Sequence, residues 1–172
     1  SESTDGRIIS KPWNGGGQYN YVLMLTSSAT VSFYIYGAAG SCSVVTTDTL
    51  SKSAWHHVAV SVTGSTKNVK IYFNGKLVKE DTHTITNYTP TSGDGSLALS
   101  IGTLYPYGGA WAGNTDFSFH GLIDDVRIYN YSRTADQVMV DYNDGSSAHL
   151  GAGTDPNEGN PVGYWNFNEN TG

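Results

Sequence analysis

Hydrophobic and polar positions alternate along much of this chain, and the alternation has the period of a strand rather than a helix. Tyr21, Leu23 and Leu25 share one side of the run from Tyr19 to Thr26. Val31, Phe33 and Ile35 repeat the pattern, with Ser32, Tyr34 and Tyr36 opposite. Val44 to Thr47 is a weaker run. Between Trp55 and Thr63, one face carries His56, Val58, Val60 and Val62, and the other carries Trp55, His57, Ala59 and Ser61. Val69, Ile71 and Phe73 lead into Asn74-Gly75, and Lys76 to Glu80 follows. An Asn-Gly pair between two such runs predicts a two-residue hairpin, because a type I′ turn needs positive φ at both central positions. Leu97 to Gly102 and Phe117 to Tyr129 complete the predicted strands.

One helix is predicted. Thr134-Ala135-Asp136-Gln137 is a capping box, in which Thr134 accepts from the amide of Gln137 and Gln137 reaches back. Val138, Met139 and Tyr142 then form an apolar stripe, which Asn143-Asp144-Gly145 ends. Residues 145–160 have no periodicity and the small, polar make-up of a linker. After them, the stretch from Pro161 to Glu169 reads as a fresh strand.

Composition narrows the class. The 172 residues suffice for one sizeable core. Only 14% are charged, whereas Gly numbers 21 and Tyr 12, the profile of a β-rich extracellular protein. A net charge of -6 with no basic cluster argues against nucleic acid or an anionic membrane as partner. No apolar run is long enough to span a bilayer. No signal peptide is present in these residues, so a secreted or cell-surface location requires that one was removed or lies upstream. Cys42 is the single cysteine, expected to be buried and inert unless it finds a partner elsewhere.

The stretch Phe119-His120-Gly121-Leu122-Ile123-Asp124-Asp125-Val126-Arg127-Ile128-Tyr129-Asn130 sets two adjacent carboxylates in an otherwise apolar strand. Counting by twos puts Asp124 with Val126 and Ile128, and Asp125 with Arg127 and Tyr129. If the aliphatic face is the core, Asp124 points inward and needs a cation or several hydrogen-bond donors. Asp125 and Arg127 could pair on the other face.

These residues carry a resemblance. Gly121 to Asn130 with the capped helix after it, Trp55-His56-His57-Val58-Ala59-Val60, and Ile71-Tyr72-Phe73-Asn74-Gly75-Lys76-Leu77-Val78 resemble laminin-G-like members of the concanavalin A-like lectin/glucanase superfamily. The three motifs stand in the family's order over most of residues 7 to 145. The resemblance implies an all-β fold, a two-sheet antiparallel jelly-roll sandwich with one short helix after the last strong strand. The strands counted above agree with it.

One departure matters. Gly163-Tyr164-Trp165-Asn166-Phe167-Asn168-Glu169-Asn170-Thr171-Gly172 resembles the first strand of such a domain, yet here it comes last. The expected organisation is a jelly-roll domain over residues 1–144 without its usual first strands, a linker over 145–160, and a strand in 161–172. That strand either begins a following repeat or completes the fold by strand addition, within the chain or from a neighbouring copy.

Catalysis is not expected. Glucanases need two carboxylates flanking the scissile bond, and neighbours on a strand diverge, as Asp124 and Asp125 would. Glu80-Asp81 reads as a solvated turn. The His56-His57 pair also diverges, and no His or Cys stands at metal-ligand spacing. Calcium suits the chain better, since it takes hard oxygen ligands and the family often holds such an ion near the motif that Asp124 and Asp125 match. Asn168 and Glu169 could join them only if the final strand pairs with the motif strand; otherwise Asp124 accepts backbone amides or the Arg127 guanidinium. For a sugar, the aromatic loop from Leu104 to Asn114 is the place to look: Tyr105, Tyr107 and Trp111 offer stacking faces and Asn114 an amide for hydroxyls. Those rings could equally fold back over the sheet as a lid. Trp13 is a weaker candidate.

The sequence thus points to a non-enzymatic extracellular recognition module that binds a glycan or a surface protein, with neighbouring repeats or copies of the same chain as further partners. The alternative is a structural unit of a filament or stalk joined by exchange of the terminal strand.

Overall fold

In the computed structural model, residues 5–12, 19–37, 40–63, 67–83, 98–103, 117–146 and 161–167 are described. β1 (Gly6–Pro12), β2 (Tyr19–Leu25), β3 (Thr30–Gly37) and β4 (Gly40–Thr49) form an antiparallel meander. β8 (Ser100–Ile101) adds to the other side of β1, which gives the order β4-β3-β2-β1-β8. β5 (Val58–Thr63), β6 (Lys67–Phe73) and β7 (Lys76–His83) make a second antiparallel sheet. β9 (Val126–Ile128) pairs antiparallel with β10 (Gly163–Trp165), and α1 (Ala135–Ser146) lies between them in the chain.

Alternation creates the core. Leu23, Val31, Phe33, Ile35, Cys42 and Val44 of the larger sheet meet Val69, Ile71 and Phe73 of the smaller one in a single buried cluster. Each fully buried aliphatic side chain contributes about 1.5–3 kcal/mol, so this contact between sheets is what holds the sandwich together. The far side of β2 is covered too, because Val22 and Met24 are buried. Arg7 helps cover it, lying against Met24 and 4.7 Å from the centre of the Phe117 ring.

Local signals explain the connections. Asn74 and Gly75 have φ of 49° and 76° and join Phe73 to its partner Lys76, the two-residue turn that Asn-Gly predicts. The Asn74 carboxamide accepts the His57 amide at 2.9 Å, while the Asn74 amide donates to the His57 carbonyl at 2.8 Å, which fixes the start of β5. The capping box forms as well: the Thr134 amide donates to the Gln137 side chain at 3.0 Å and the Gln137 amide to Thr134 Oγ1 at 3.3 Å. Val138 on α1 is buried and Tyr142 half-buried, whereas Met139 leans on Gly75 from a more exposed position.

Four expectations change. β1 was not foreseen, because Gly6-Arg7-Ile8-Ile9-Ser10 does not alternate. β4 spans ten residues rather than the weak run at Val44, since Cys42, Val44 and Thr46 point inward between exposed Ser41, Ser43 and Val45. β7 continues through Asp81 to His83, so Glu80 and Asp81 sit within a strand and pair with Lys70 and Lys79 on its surface. The long strand predicted from Phe117 to Tyr129 is correct only at Val126–Ile128 and at an isolated bridge from Ser118 to Arg7. Asp125 takes φ +50°, a left-handed turn that Asp tolerates better than most residues. Asp124 is therefore exposed rather than turned into the core.

Candidate functional site

The segment after β8 is tied down by backbone bonds. The Gly102 amide donates to the Ile8 carbonyl at 2.9 Å, the Phe119 amide to the Gly102 carbonyl at 2.8 Å, and the Arg7 amide to the Phe117 carbonyl at 3.0 Å. Gly102 has φ +74°, the region that favours glycine. Residues 117–119 are thus held against the edge of β1, and the chain then turns away towards β9. On the far side, β10 pairs Trp165 with Val126, Tyr164 with Arg127 and Gly163 with Ile128.

A cleft of about 360 Å³ opens between these pieces. Leu99, Ile101 and Gly102 form one side, Phe119, Gly121 and Ile123 a second, and Trp165 and Phe167 the third. Two close glycine contacts set its aromatic walls. A Cβ on Gly121 would lie 2.7 Å from the Phe119 ring, and one on Gly163 would lie 2.6 Å from the Trp165 indole. Each ring therefore rests flush on backbone. Trp165 and Phe167 remain 37% and 47% exposed, so their faces are open to a ligand.

Polar groups gather on the other face of β10, where Tyr164 alternates with Trp165. Tyr164 donates its hydroxyl to Asp125 Oδ1 at 2.7 Å, and the Arg127 guanidinium lies 5.1 Å from the Tyr164 ring centre. That hydrogen bond to Asp125 raises the Tyr164 hydroxyl above the usual tyrosine value. The Asp125 amide in turn donates to Asp124 Oδ1 at 2.8 Å. Below them, Asp141 on α1 accepts from Arg133 at 2.6 and 3.0 Å and from the Tyr129 hydroxyl at 3.1 Å, with Arg127 at 3.5 Å. The Arg133 guanidinium also lies 4.3 Å from the Tyr129 ring centre. This partly buried ionic cluster anchors the helix beneath the motif strand.

The residues singled out from sequence fall in different places. Tyr105, Tyr107, Trp111 and Asn114 lie outside the described residues, as do Trp13, Asn168 and Glu169. Asp124 and Asp125 are both exposed, and one oxygen of each accepts a hydrogen bond. Calcium takes six to eight oxygens, and among the described residues no group of three or more His, Cys, Asp or Glu side chains converges. The described residues alone do not fit such an ion. His56 Nε2 is 3.0 Å from Ser51 Oγ, and His57 packs 5.8 Å from Tyr142 across to α1, so the two histidines diverge. Burial lowers the His57 pKa. Cys42 is fully buried and its thiol is pushed up to about 11, chiefly by burial, with the Asp81 charge adding to it. Such a thiol is unreactive. Sequence reading missed the cleft because its floor comes from β8 and its wall from Trp165 and Phe167, residues more than 60 positions apart. The Gly-x-Trp and Phe-x-Gly spacings were its only local signal.

A laminin-G-type family model, described as the concanavalin A-like lectin/glucanases superfamily, matches residues 1–139. No curated protein sequence matches. Among solved structures, the chain is similar to a candidate carbohydrate-binding protein from Bacteroides ovatus at 20% identity, covering 95% of this chain and 41% of that one, with a TM-score of 0.64. It is similar to the heptameric SAP-like pentraxin of Limulus polyphemus at 17% identity, covering 80% and 62%, with a TM-score of 0.54. An S-layer domain-containing protein from Clostridium thermocellum matches at 23% identity over 81% and 63%, with a TM-score of 0.44. For the Bacteroides ovatus and Limulus polyphemus proteins, at these identities, the likeness is one of fold. The chain spans between 41% and 63% of the length of these structures.

Proposed function

Because this chain belongs to the laminin-G-type family of the concanavalin A-like lectin/glucanases superfamily, we propose that it is a non-catalytic module that binds carbohydrate in the cleft beside β10. The observation that carries the reading is the aromatic wall: Phe119, Trp165 and Phe167 line one cleft of about 360 Å³, with Trp165 and Phe167 open to solvent. Sugars present apolar C–H faces to aromatic rings and bind through a few placed polar groups. Asp124, Asp125 and Tyr164 are exposed polar side chains close by along the chain, although Tyr164 alternates with Trp165 along β10 and none of the three lines the cleft itself. The similarity to a candidate carbohydrate-binding protein supports the same reading.

The aromatic loop belongs to this proposal. Residues 104–116 stand in sequence between Thr103 and Phe117, whose neighbours Gly102 and Phe119 line the cleft. Tyr105, Tyr107, Trp111 and Asn114 are therefore carried on a segment whose two ends adjoin the same cleft. The module acts outside the cell, within a larger surface protein built of repeats. Its low charge, Gly- and Tyr-rich composition and repeat-like final strand support that placement. No described helix is long and apolar enough to cross a membrane.

The placement of the two motif carboxylates supports binding without hydrolysis. Asp125 Oδ1 is engaged by Tyr164, and Asp124 Oδ1 by the Asp125 amide. A glycoside hydrolase needs two carboxyl groups facing each other across the bond, whereas these are neighbours on one kinked segment. Glycan-array screening of the chain, beside Trp165→Ala and Trp111→Ala, tests the proposal. Binding by the parent that both variants lose supports it; uniform silence moves the function to adhesion through protein.

A further inference from the structure

We propose that the cleft takes a 6-deoxyhexose, and that the methyl group on C5 of the sugar is the part that enters it. This rests on the carbohydrate reading given above and names the class of sugar.

The lining selects by what it lacks. Among the described residues, the side chains that line the cleft are aliphatic or aromatic, and the Trp165 indole N–H is their one polar group, a donor only. The backbone adds little, because the Gly102 amide already donates to the Ile8 carbonyl and the Gly102 carbonyl already accepts from the Phe119 amide. Aliphatic and aromatic groups divide the walls. Ile123 Cδ1 lies 3.5 Å from where a Cβ on Gly102 would stand, so Ile123 and Ile101 make an aliphatic corner at that glycine. Phe119, Trp165 and Phe167 supply rings. Phe167 holds φ +42°, where a bulky side chain rarely stands. Backbone held in such conformations clusters at ligand sites.

Three walls decide between ligands. A single exposed ring is a platform on which many hexoses stack, whereas a group that enters between three apolar walls loses water on every side. A hydroxymethyl O–H or an acetamido N–H placed there needs an acceptor, and the described lining side chains hold none. Leaving that donor unpaired is costly. The methyl of a 6-deoxyhexose needs no partner, and it sits in the aliphatic corner while the C–H face of the sugar ring meets the aromatic walls. The ring hydroxyls face out of the cleft to water.

The test titrates the full chain by calorimetry with two pairs of methyl glycosides that differ only in the hydroxyl on C6: L-fucoside against L-galactoside, and L-rhamnoside against L-mannoside. Methyl N-acetylglucosaminide is titrated beside them. An apolar pocket rejects an added hydroxyl by up to about a hundredfold, so the 6-deoxy member of at least one pair should bind roughly tenfold to a hundredfold more tightly than its partner, and more tightly than the N-acetyl sugar. Ile123→Ser, which sets an acceptor in the aliphatic corner, should narrow that ratio several-fold in a protein that still melts cooperatively. The comparison in the parent does not depend on that variant folding. Equal binding within both pairs, tighter binding of the N-acetyl sugar, or an unchanged ratio in folded Ile123→Ser overturns the inference and leaves the carbohydrate reading standing. So does silence towards these sugars when other glycans bind. Silence towards every glycan removes the carbohydrate reading, and the inference with it.

Discussion

Tyr164 donates its hydroxyl to Asp125 across 39 residues of sequence, and this one bond joins the last described strand to the double-aspartate motif. Both groups are exposed, so solvent screening brings the bond down to about 0.5–1 kcal/mol, below the usual range for a hydrogen bond to a charged group. Tyr164→Phe should raise hydrogen exchange at the Val162 and Trp165 amides by several-fold while leaving β6 unchanged. Equal exchange in both proteins would mean that the bond contributes nothing to strand docking.

The same bond sets an alkaline limit. The Tyr164 value is raised by Asp125, so the folded chain holds that proton more tightly than the unfolded one. Its contribution is complete below the unfolded tyrosine value near 10 and is lost as pH rises through the higher folded value. Docking of β10, followed by amide protection or Trp165 fluorescence, should weaken above that value in the parent. Tyr164→Phe should be weaker below that value and flat across it.

On the acid side the controlling group is His57. Burial lowers its pKa, opposed by the Asp141 charge and assisted by Arg127. The unfolded chain then binds a proton that the folded chain resists. Stability is unaffected above the unfolded value near 6.5, falls as pH drops below it, and levels off below the folded value. Melting temperature should decline between pH 7 and 5, and His57→Phe should flatten that part of the curve. An unchanged slope would assign the decline to other groups.

Asp141 faces two guanidinium groups and a tyrosine hydroxyl, with both it and Arg133 about nine-tenths buried. Removing one partner of such a pair leaves a charge uncompensated, at a cost of about 3–5 kcal/mol. Asp141→Ala should lower urea stability by about 3 kcal/mol, and Asp141→Asn by less. A loss under 1 kcal/mol would show the cluster to be solvated in solution.

Much of this fold was legible because period and packing agree. Val31, Phe33 and Ile35 alternate, and all three are buried; Asn74-Gly75 and the Thr134–Gln137 box are short-range chemistry and form as read. What failed was a property of single residues in context. Asp124 and Asp125 looked like strand positions flanked by aliphatics, but two adjacent charges cost less on a left-handed kink in solvent than with one of them turned inward. Arg7, in a run that does not alternate, is buried against Phe117 and Met24. The cleft was hidden because it is assembled from three distant segments, and alternation says nothing about which open edges meet.

Calcium stands as a proposal for the set Asp124, Asp125, Asn168 and Glu169, since β10 pairs with β9 and sets Trp165 opposite Val126, the residue after Asp125. Two carboxylates fall short of its oxygen demand, so the ion depends on the last two residues. Calcium should raise the melting temperature, and Asp124→Asn or Glu169→Gln should abolish the rise. Identical melting with calcium and with chelator removes the ion.

The central claim is that sugar binds against Trp165 and Phe119. Calorimetric titration of an array-selected glycan into the parent, Trp165→Ala, Phe119→Ala and Trp55→Ala tests it most directly, because Trp55 is 65% exposed and lies outside the cleft. Losing a stacking ring is worth about 1 kcal/mol or more, so the cleft variants should bind roughly fivefold or more weakly, with Trp55→Ala unchanged and all four melting cooperatively. Full affinity in Trp165→Ala and Phe119→Ala, or a loss confined to Trp55→Ala, would contradict the account.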